Sequence, residues 1–234
     1  MKTIGLIGGM SWESSSIYYK KMNEYVKKEL GLAHSCECVM YSVDFQPIKE
    51  SQHKEEWNKL REKMICIAKN LESIGAKGLV ICTNTMHLLA EDIATEISIP
   101  LIHIADATGE EIQKSKLKKI GLLATKFTME RDFYKKRLQE KYDVDVIIPD
   151  EYSREIVHKI IYEELVLGVV KKESKLQYQK IVKELIESGA EGIILGCTEI
   201  CMLLNQADVS VPVFDTTEIH IKKAVQFALN KERV

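Results

Sequence analysis

The sequence predicts an α/β fold built from two similar lobes, each a parallel β-sheet flanked by helices. The first observation is that short apolar segments typical of strands alternate along the chain with longer segments of helical periodicity. Such alternation favours parallel sheets with helical crossovers. The second is that this pattern starts again near the middle of the chain, which indicates an internal repeat. A chain of 234 residues is long enough to give both lobes a hydrophobic core.

The elements of the first half follow one another in a regular order. A short apolar strand ends in glycines and leads into an amphipathic helix, and a second strand leads into a long helix that a glycine ends. A third strand, a helix and a fourth strand follow. These segments are, in order, KTIGLIGG, SSIYYKKMNEYVKKEL, ECVMYSVDF, WNKLREKMICIAKNLESIG, KGLVICT, LLAEDIATEI and PLIHI.

Three segments of the first half resemble three segments of the second half in the same order and at nearly the same offset. We therefore expect one lobe to contain residues 1–104 and 211–234 and the other to contain residues 105–210. No Gly/Ser-rich linker marks a boundary, so the lobes are expected to pack closely. The matched pairs are 2–9 with 118–125, 71–85 with 185–199, and 99–104 with 211–216.

Composition and charge exclude several classes of function. A formal net charge of -2 and an isoelectric point near 6.3 disfavour a nucleic-acid-binding protein, which normally carries a basic excess. No apolar run approaches the ~20 residues that a membrane span needs. The six cysteines are scattered through mostly apolar segments, which favours a reducing, cytoplasmic location over a disulfide framework. Gly5, Gly8 and Gly9 do not form a dinucleotide-binding G-x-G-x-x-G motif.

The internal repeat also indicates which residues face a functional site. It pairs Cys82 with Gly196 and Thr83 with Cys197. Since side chains alternate along a strand, Cys82 is expected to pack inside while Thr83 and Cys197 face the other way. Ligands of open α/β sheets bind at the carboxyl ends of strands. We therefore expect Thr83 and Cys197 to approach one inter-lobe cleft from opposite sides.

Small polar residues accompany this pair in the segments TNT (83–85) and CTE (197–199). Their hydroxyls, an amide and the backbone N–H groups at the start of a following helix would favour a carboxylate. The same donors would stabilise the enediolate formed when the carbon beside a carboxylate loses its proton. The pattern predicts proton transfer at a carbon held between the two segments.

The motifs GLIGGMSWES, CTNTMH and GCTEI resemble the aspartate/glutamate racemase superfamily, and the resemblance extends over essentially the whole chain. It implies two pseudo-symmetric lobes, a homodimer, an amino-acid substrate, no pyridoxal phosphate, no metal, and two acid/base residues flanking the α-carbon. Most of these racemases carry Cys-Asn-Thr in the first lobe. Here Thr83 holds the place of that cysteine, as in the aspartate/glutamate-specific and broad-specificity subgroup.

This difference predicts unequal chemistry on the two faces of the substrate. A cysteine thiol has a pKa near 8.5 that a site can lower, whereas a threonine hydroxyl is a far weaker acid. We therefore expect Cys197 to be the stronger base and Thr83 to handle the proton on the opposite face. The resemblance implies that Cys197 serves the L-enantiomer.

Other residues are candidates for binding the substrate. Ser11 has a helix N-cap as its alternative role, and Glu164 has an exposed position on a helix as its alternative. His87 is expected to orient the turn or to pack rather than to act on the substrate. The candidate substrate-binding residues are Met10, Ser11, Gln52, Asn84, Thr85, Thr125, Thr128, Glu164, Thr198 and Glu199.

Two other functions remain open at this point. One is a decarboxylase or a maleate-type cis–trans isomerase of the same fold that uses Cys197 alone. The other is a binding or regulatory protein that has kept the cleft and lost catalysis. Which amino acid is preferred depends on the loops expected around residues 46–52 and 125–128.

Overall fold

A computed structural model describes residues 1–231 of the chain and shows an α/β fold with two parallel sheets flanked by helices. The chain forms two compact units. The first unit consists of Met1–His103 and the segment that begins at His220, and the second consists of Ile104–Ile219. The predicted boundary at residue 211 is too early, because strand 213–215 pairs within the second sheet and residues up to 219 follow it.

The sheet of the first unit has three parallel strands in the order β2-β1-β3. Leu101 adds an isolated parallel bridge to Leu79, on the free side of the third strand. The strands are β1 (Ile4–Gly8), β2 (Cys38–Ser42) and β3 (Gly78–Ile81).

The sheet of the second unit has four parallel strands in the order β5-β4-β6-β7. The strands are β4 (Lys119–Leu123), β5 (Asp145–Ile147), β6 (Gly192–Leu195) and β7 (Val213–Asp215).

Helices connect the strands, as parallel pairing requires. Four short 3₁₀ helices also occur within residues 1–231, at Thr85–Leu89, Leu165–Leu167, Thr198–Met202 and Gln206–Asp208. The α-helices are α1 (Trp12–Leu30), α2 (Phe45–His53), α3 (Trp57–Ser73), α4 (Ala90–Ala94), α5 (Ile104–Ser115), α6 (Lys126–Glu130), α7 (Asp132–Tyr142), α8 (Glu151–Glu163), α9 (Lys172–Glu187) and α10 (Thr216–Ala228).

The strand pairings confirm the internal repeat. Gly5 pairs with Leu79 in the first sheet, and their counterparts Gly121 and Ile193 pair in the second. The helix that precedes each third strand ends at a glycine of positive φ, +103° at Gly75 and +95° at Gly189. Residues other than glycine adopt this backbone conformation at a cost, which explains why both copies have the same residue there.

Three local predictions were wrong. Residues 46–52 lie in α2, which Asp44 caps with a hydrogen bond from the Gln46 N–H, and not in a loop. The segment predicted as one helix after β3 is a 3₁₀ helix followed by the five-residue α4. The segment PLIHI makes one bridge rather than a strand, since α5 already begins at Ile104.

Apolar clusters of the first unit contain side chains that alternate along β3. Leu79 and Ile81 belong to one cluster, whereas Val80 and Cys82 belong to another with Leu6 of β1. This alternation fixes which residues after the strand remain available to a site. Among the described residues, none of the helices is both long and apolar enough to cross a lipid bilayer.

Candidate active site

Cys82, the first residue after β3, is part of the core. Its side chain is 0% exposed, and burial raises the pKa of the thiol well above its usual range. Its backbone N–H donates to the Ile7 carbonyl at 2.9 Å, and its carbonyl accepts from the Ser14 hydroxyl at 3.1 Å. Cys82 is therefore a packing residue, as the repeat predicted.

Thr83 is partly exposed and is held through its backbone. Its N–H donates to the Ile81 carbonyl at 2.8 Å, and its carbonyl lies 2.8 Å from Nδ1 of His87. A carbonyl oxygen only accepts, so Nδ1 of His87 carries the proton of this bond. The two next residues, Asn84 and Thr85, are buried at the start of the 3₁₀ helix.

Gly196 holds the place of Cys82 in the second unit because a side chain does not fit there. A Cβ atom on this glycine would lie 2.8 Å from Cδ1 of Leu122 and 3.0 Å from Cβ of Ala124. Its N–H donates to the Leu123 carbonyl at 2.7 Å, which matches the bond from Cys82 to Ile7. The two strand ends therefore superpose in register, and Cys197 takes the place of Thr83.

Cys197 is bonded to a carboxylate. It lies in extended backbone directly before the 3₁₀ helix Thr198–Met202, and its Sγ donates to Oε2 of Glu199 at 2.9 Å. Glu199 and Thr198 are each 4% exposed. A buried carboxylate two residues from a thiol is a ready acceptor for the thiol proton.

The pKa of Cys197 differs in direction from the expectation. Burial and the charge of Glu199 raise the pKa of this thiol well above its ordinary value, whereas the sequence suggested a lowered pKa. Cys197 is thus a neutral thiol at neutral pH. It becomes a thiolate only when its proton passes to Glu199 or another acceptor.

The first strand of each sheet leads to a hydroxyl that caps a helix. Ser11 caps α1 by accepting from the Ser14 N–H at 3.3 Å, so the N-cap role considered for it is present. Gly9 before it has φ +88°, and a Cβ atom there would lie 2.2 Å from the Val43 carbonyl oxygen. Met10 is buried in the core cluster of Ile81.

Thr125 and Thr128 are the counterparts in the second unit. Thr125 caps α6 by accepting from the Thr128 N–H at 3.4 Å, and the two hydroxyl oxygens lie 3.3 Å apart. Both side chains are buried. The structure thus brings these two candidates together at the end of β4.

Gln52 and Glu164 contact residues of their own units. Nε2 of Gln52, on α2, lies 3.2 Å from Sδ of Met86 in the 3₁₀ helix after Thr83. Glu164 ends α8 and accepts from the Ser174 hydroxyl at 2.6 Å and from Lys171 at 3.1 Å. Burial alone would raise the pKa of Glu164, but these bonds outweigh burial and lower it.

The helix starts expected to bind a carboxylate are 3₁₀ helices of five residues, at Thr85–Leu89 and Thr198–Met202. So short a helix aligns few peptide dipoles, and its pull on an anion is correspondingly weaker than that of a long α-helix. Side-chain groups must therefore supply more of any carboxylate binding than expected. Within residues 1–231, no three His, Cys, Asp or Glu side chains are grouped as ligands of a metal ion.

Several contributing residues had no signal in the sequence. Ser14 reaches the Cys82 carbonyl across 68 positions of sequence, and Thr216 reaches the Leu195 carbonyl at 2.8 Å in the second unit. Nδ1 of His158 accepts from the N–H of Lys126 at 3.2 Å, directly after Thr125. The two carbonyls lie directly after β3 and at the last residue of β6.

Comparison with known proteins shows the family to which the chain belongs. The family model described as Asp/Glu/Hydantoin racemase matches residues 7–224. A crystal structure from Yersinia pestis, assigned provisionally as an Asp/Glu racemase, is 49% identical, has a TM-score of 0.91, and is matched over 98% of this chain and 100% of that one. An aspartate racemase homologue from Pyrococcus horikoshii is 39% identical with a TM-score of 0.82 over 98% of this chain and 100% of its own.

A curated relative extends the comparison to a named activity. The broad-specificity amino-acid racemase RacX of Bacillus subtilis is 25% identical over 95% of this chain and 96% of its own length. Racemases are isomerases, and the family match spans both units of the present chain. The chain therefore belongs to the Asp/Glu/hydantoin racemase family of enzymes.

Proposed function

We propose that the protein is a cofactor-independent racemase that interconverts the L- and D-forms of aspartate, glutamate or a related amino acid. Cys197 acts on the face that carries the α-proton of the L-enantiomer, and Thr83 acts on the opposite face of the same carbon. The observation that carries the proposal is the 2.9 Å bond from the Cys197 thiol to the Glu199 carboxylate. A general acid/base residue needs a partner that can take up or return its proton, and Glu199 is that partner.

Deprotonation of the L-enantiomer takes three coupled transfers. The proton of Cys197 passes to Oε2 of Glu199, and the resulting thiolate takes the α-proton. The electron pair of the broken C–H bond moves into the carboxylate of the substrate and forms an enediolate. Hydroxyl and N–H donors stabilise the oxygen that gains charge.

Thr83 completes the inversion by protonating the opposite face. Its hydroxyl gives its proton to the α-carbon and takes another from a solvent water in the same step, so that a free alkoxide never forms. Glu199 then releases to solvent the proton that it took from Cys197, which neutralises the hydroxide left by that water and restores the carboxylate. The new C–H bond uses the electron pair of the enediolate. The α-hydrogen of the product therefore comes from solvent.

Enantiomers have equal free energy in water, so the equilibrium constant is one whatever the residues do. The difference between a thiol and a hydroxyl appears in the rates. We expect unequal turnover numbers for the two enantiomers, balanced by unequal Michaelis constants.

The experiment is an α-proton exchange screen of all common amino acids in deuterated buffer, with chiral chromatography of the products. The expected result is deuterium at the α-carbon together with conversion to an equal mixture of enantiomers, without added pyridoxal phosphate. Absence of both exchange and inversion for every amino acid would overturn the proposal. Stabilisation by L-glutamate without exchange would instead support a binding protein.

A one-base reaction of the same fold is the second candidate. The observation that favours it is that the first unit has Thr83, with only a weakly acidic hydroxyl, at the place where the second unit has the Cys197 thiol. Release of carbon dioxide from an arylmalonate, or conversion of maleate to fumarate, would identify it. Inversion of an amino acid is the result that separates the first candidate from the second.

A further inference from the structure

Four aromatic side chains form a buried row in the first unit, next to Thr83. We call Tyr18, His87, His103 and His220 the histidine row. The ring centroids lie 5.7 Å apart between Tyr18 and His220, 5.7 Å between His220 and His87, and 4.7 Å between His87 and His103. His103 is the most exposed of them, at 7%. The proton transfers described above use none of these rings.

Hydrogen bonds fix the protonation of His220. Its Nε2 lies 2.7 Å from the Ile102 carbonyl oxygen, which only accepts, so Nε2 carries a proton. Its Nδ1 lies 2.8 Å from the Tyr18 hydroxyl. Burial lowers the pKa of His220 to about 4, so the ring is neutral and Nδ1 accepts a hydrogen bond from the Tyr18 hydroxyl.

His87 connects the histidine row to Thr83. Its edge-on contacts with His103 and His220 set the plane of its ring, and its Nδ1–H donates to the Thr83 carbonyl at 2.8 Å. The Ser14 hydroxyl holds the preceding carbonyl, that of Cys82. Side chains of Ser14 and His87 therefore hold two successive carbonyl groups. The Thr83 hydroxyl thus projects from a backbone that is fixed by hydrogen bonds on both sides of its N–H.

The second unit has a different arrangement at the equivalent place. The offset that pairs Thr83 with Cys197 pairs His87 with Cys201. The Cys197 carbonyl accepts from the backbone N–H of Ile200 at 3.1 Å, and the Cys197 side chain is itself bonded to Glu199. The side chain of Cys197 is thus held directly by a hydrogen bond, whereas Thr83 is held through its backbone.

We infer that His87 is a positioning residue for Thr83: the histidine row fixes its imidazole, and the imidazole fixes the backbone from which the Thr83 hydroxyl delivers a proton. The inference rests on the proposed racemase function. A weakly acidic hydroxyl transfers its proton only from a well-aligned position, and a displacement of ~1 Å can cost ~10²-fold in rate. His87 is expected to matter for the face served by Thr83 and not for the face served by Cys197.

The test compares His87→Leu with His87→Asn. Leucine fills similar space without a donor, while the amide of asparagine can donate from nearly the position of Nδ1. With L-substrate in deuterated buffer, exchange with retention reports Cys197 alone, and inversion requires Thr83. We expect His87→Leu to lower inversion by ~10²-fold while exchange with retention changes by less than ~3-fold, and His87→Asn to restore most of the inversion.

A purely structural role for His87 would lower exchange and inversion together, and an unchanged ratio in His87→Leu would overturn the inference. The ¹⁵N shifts of the wild-type imidazole give a second reading that needs no variant. They are expected to show the tautomer protonated at Nδ1, and the opposite tautomer would overturn the inference as well. If the wild-type protein neither exchanges nor inverts any amino acid, the proposed function fails and this inference fails with it.

Discussion

Residues 78–89 and 192–203 are two copies of one repeated segment. They hold their candidate acid/base residues, Thr83 and Cys197, in different ways. Both place a buried strand against the first strand of their sheet and end in a five-residue 3₁₀ helix. In the first copy the imidazole of His87 donates to the backbone carbonyl of Thr83, a hydroxyl-bearing residue. In the second copy the carboxylate of Glu199 accepts a hydrogen bond from the thiol of Cys197. The repeat therefore preserves backbone and register while the side-chain contacts of its two copies differ, and we propose that their acid/base chemistry differs as well.

The largest expected effect separates Cys197 from Cys82. Cys197→Ser should lower the rate of racemisation by about 10⁴-fold, because the thiol that acts as the general base is replaced by a far less acidic hydroxyl. Cys82→Ala should stay within a few-fold of the wild type in turnover, since Cys82 is a packing residue, and should only lower stability. Chiral chromatography of both variants measures this. Equal losses of activity in the two variants would show that the assignment of register is wrong.

Thr83 gives the next largest effect. Thr83→Val removes the hydroxyl at similar size and should lower inversion by about 10³-fold while exchange of the L-enantiomer with retention persists. Thr83→Cys makes the two copies alike and should raise turnover of the D-enantiomer relative to the L-enantiomer. Turnover numbers for both enantiomers test this. Loss of L-exchange in Thr83→Val would contradict the division of faces.

Glu199→Gln should lower turnover by about 10²-fold, because the amide cannot accept the thiol proton. The same change removes the negative charge that raises the pKa of Cys197, so the pKa of the thiol should fall towards its ordinary value. The pH dependence of alkylation by iodoacetamide measures this, with Cys197→Ser identifying the reaction of the other thiols. A thiol pKa that rises in Glu199→Gln would refute the role of the carboxylate.

The last effect concerns stability, and it arises from His220 in the first unit. The pKa of His220 is lowered to about 4 in the folded protein, against about 6.5 when unfolded. Above pH 6.5 both states are neutral and the residue has no effect. As the pH falls from 6.5 to 4 the unfolded chain gains the proton first, so stability declines by up to about 3 kcal/mol.

Urea unfolding at pH 7 and pH 4.5 measures this decline. His220→Gln is expected to be less stable than the wild type at pH 7 and to lose less stability on acidification. His34→Gln, at an exposed position, serves as the control and should follow the wild type at both values. The same loss of stability in wild type and His220→Gln would show that other groups cause the decline.

The sequence predicted the fold and its repeat well, because strand register and helix-ending glycines can be recognised from short segments of sequence. It missed α2, in which Pro47 lies in the first turn, where proline is tolerated. It overestimated PLIHI because Pro100 and the early start of α5 limit pairing to Leu101.

At the site, the packing role of Cys82 followed from its glycine counterpart, Gly196. The hydrogen bond between Cys197 and Glu199 and the raised pKa of Cys197 did not, since both depend on burial and on side-chain direction. The histidine row joins residues up to 202 positions apart, and no local pattern connects them.

The histidine row also has a consequence for engineering the chain. His103 is the last residue of the first unit before the chain leaves it, and His220 is the first residue after the chain returns. The chain passes between the two units at these two points. A tag, a cut or a new pair of termini at either of them would disturb the rings that contact His87. The exposed turn at Gly31 and Leu32 is the tolerant alternative, so circular permutants and biosensor fusions should open the chain there and leave both crossings intact.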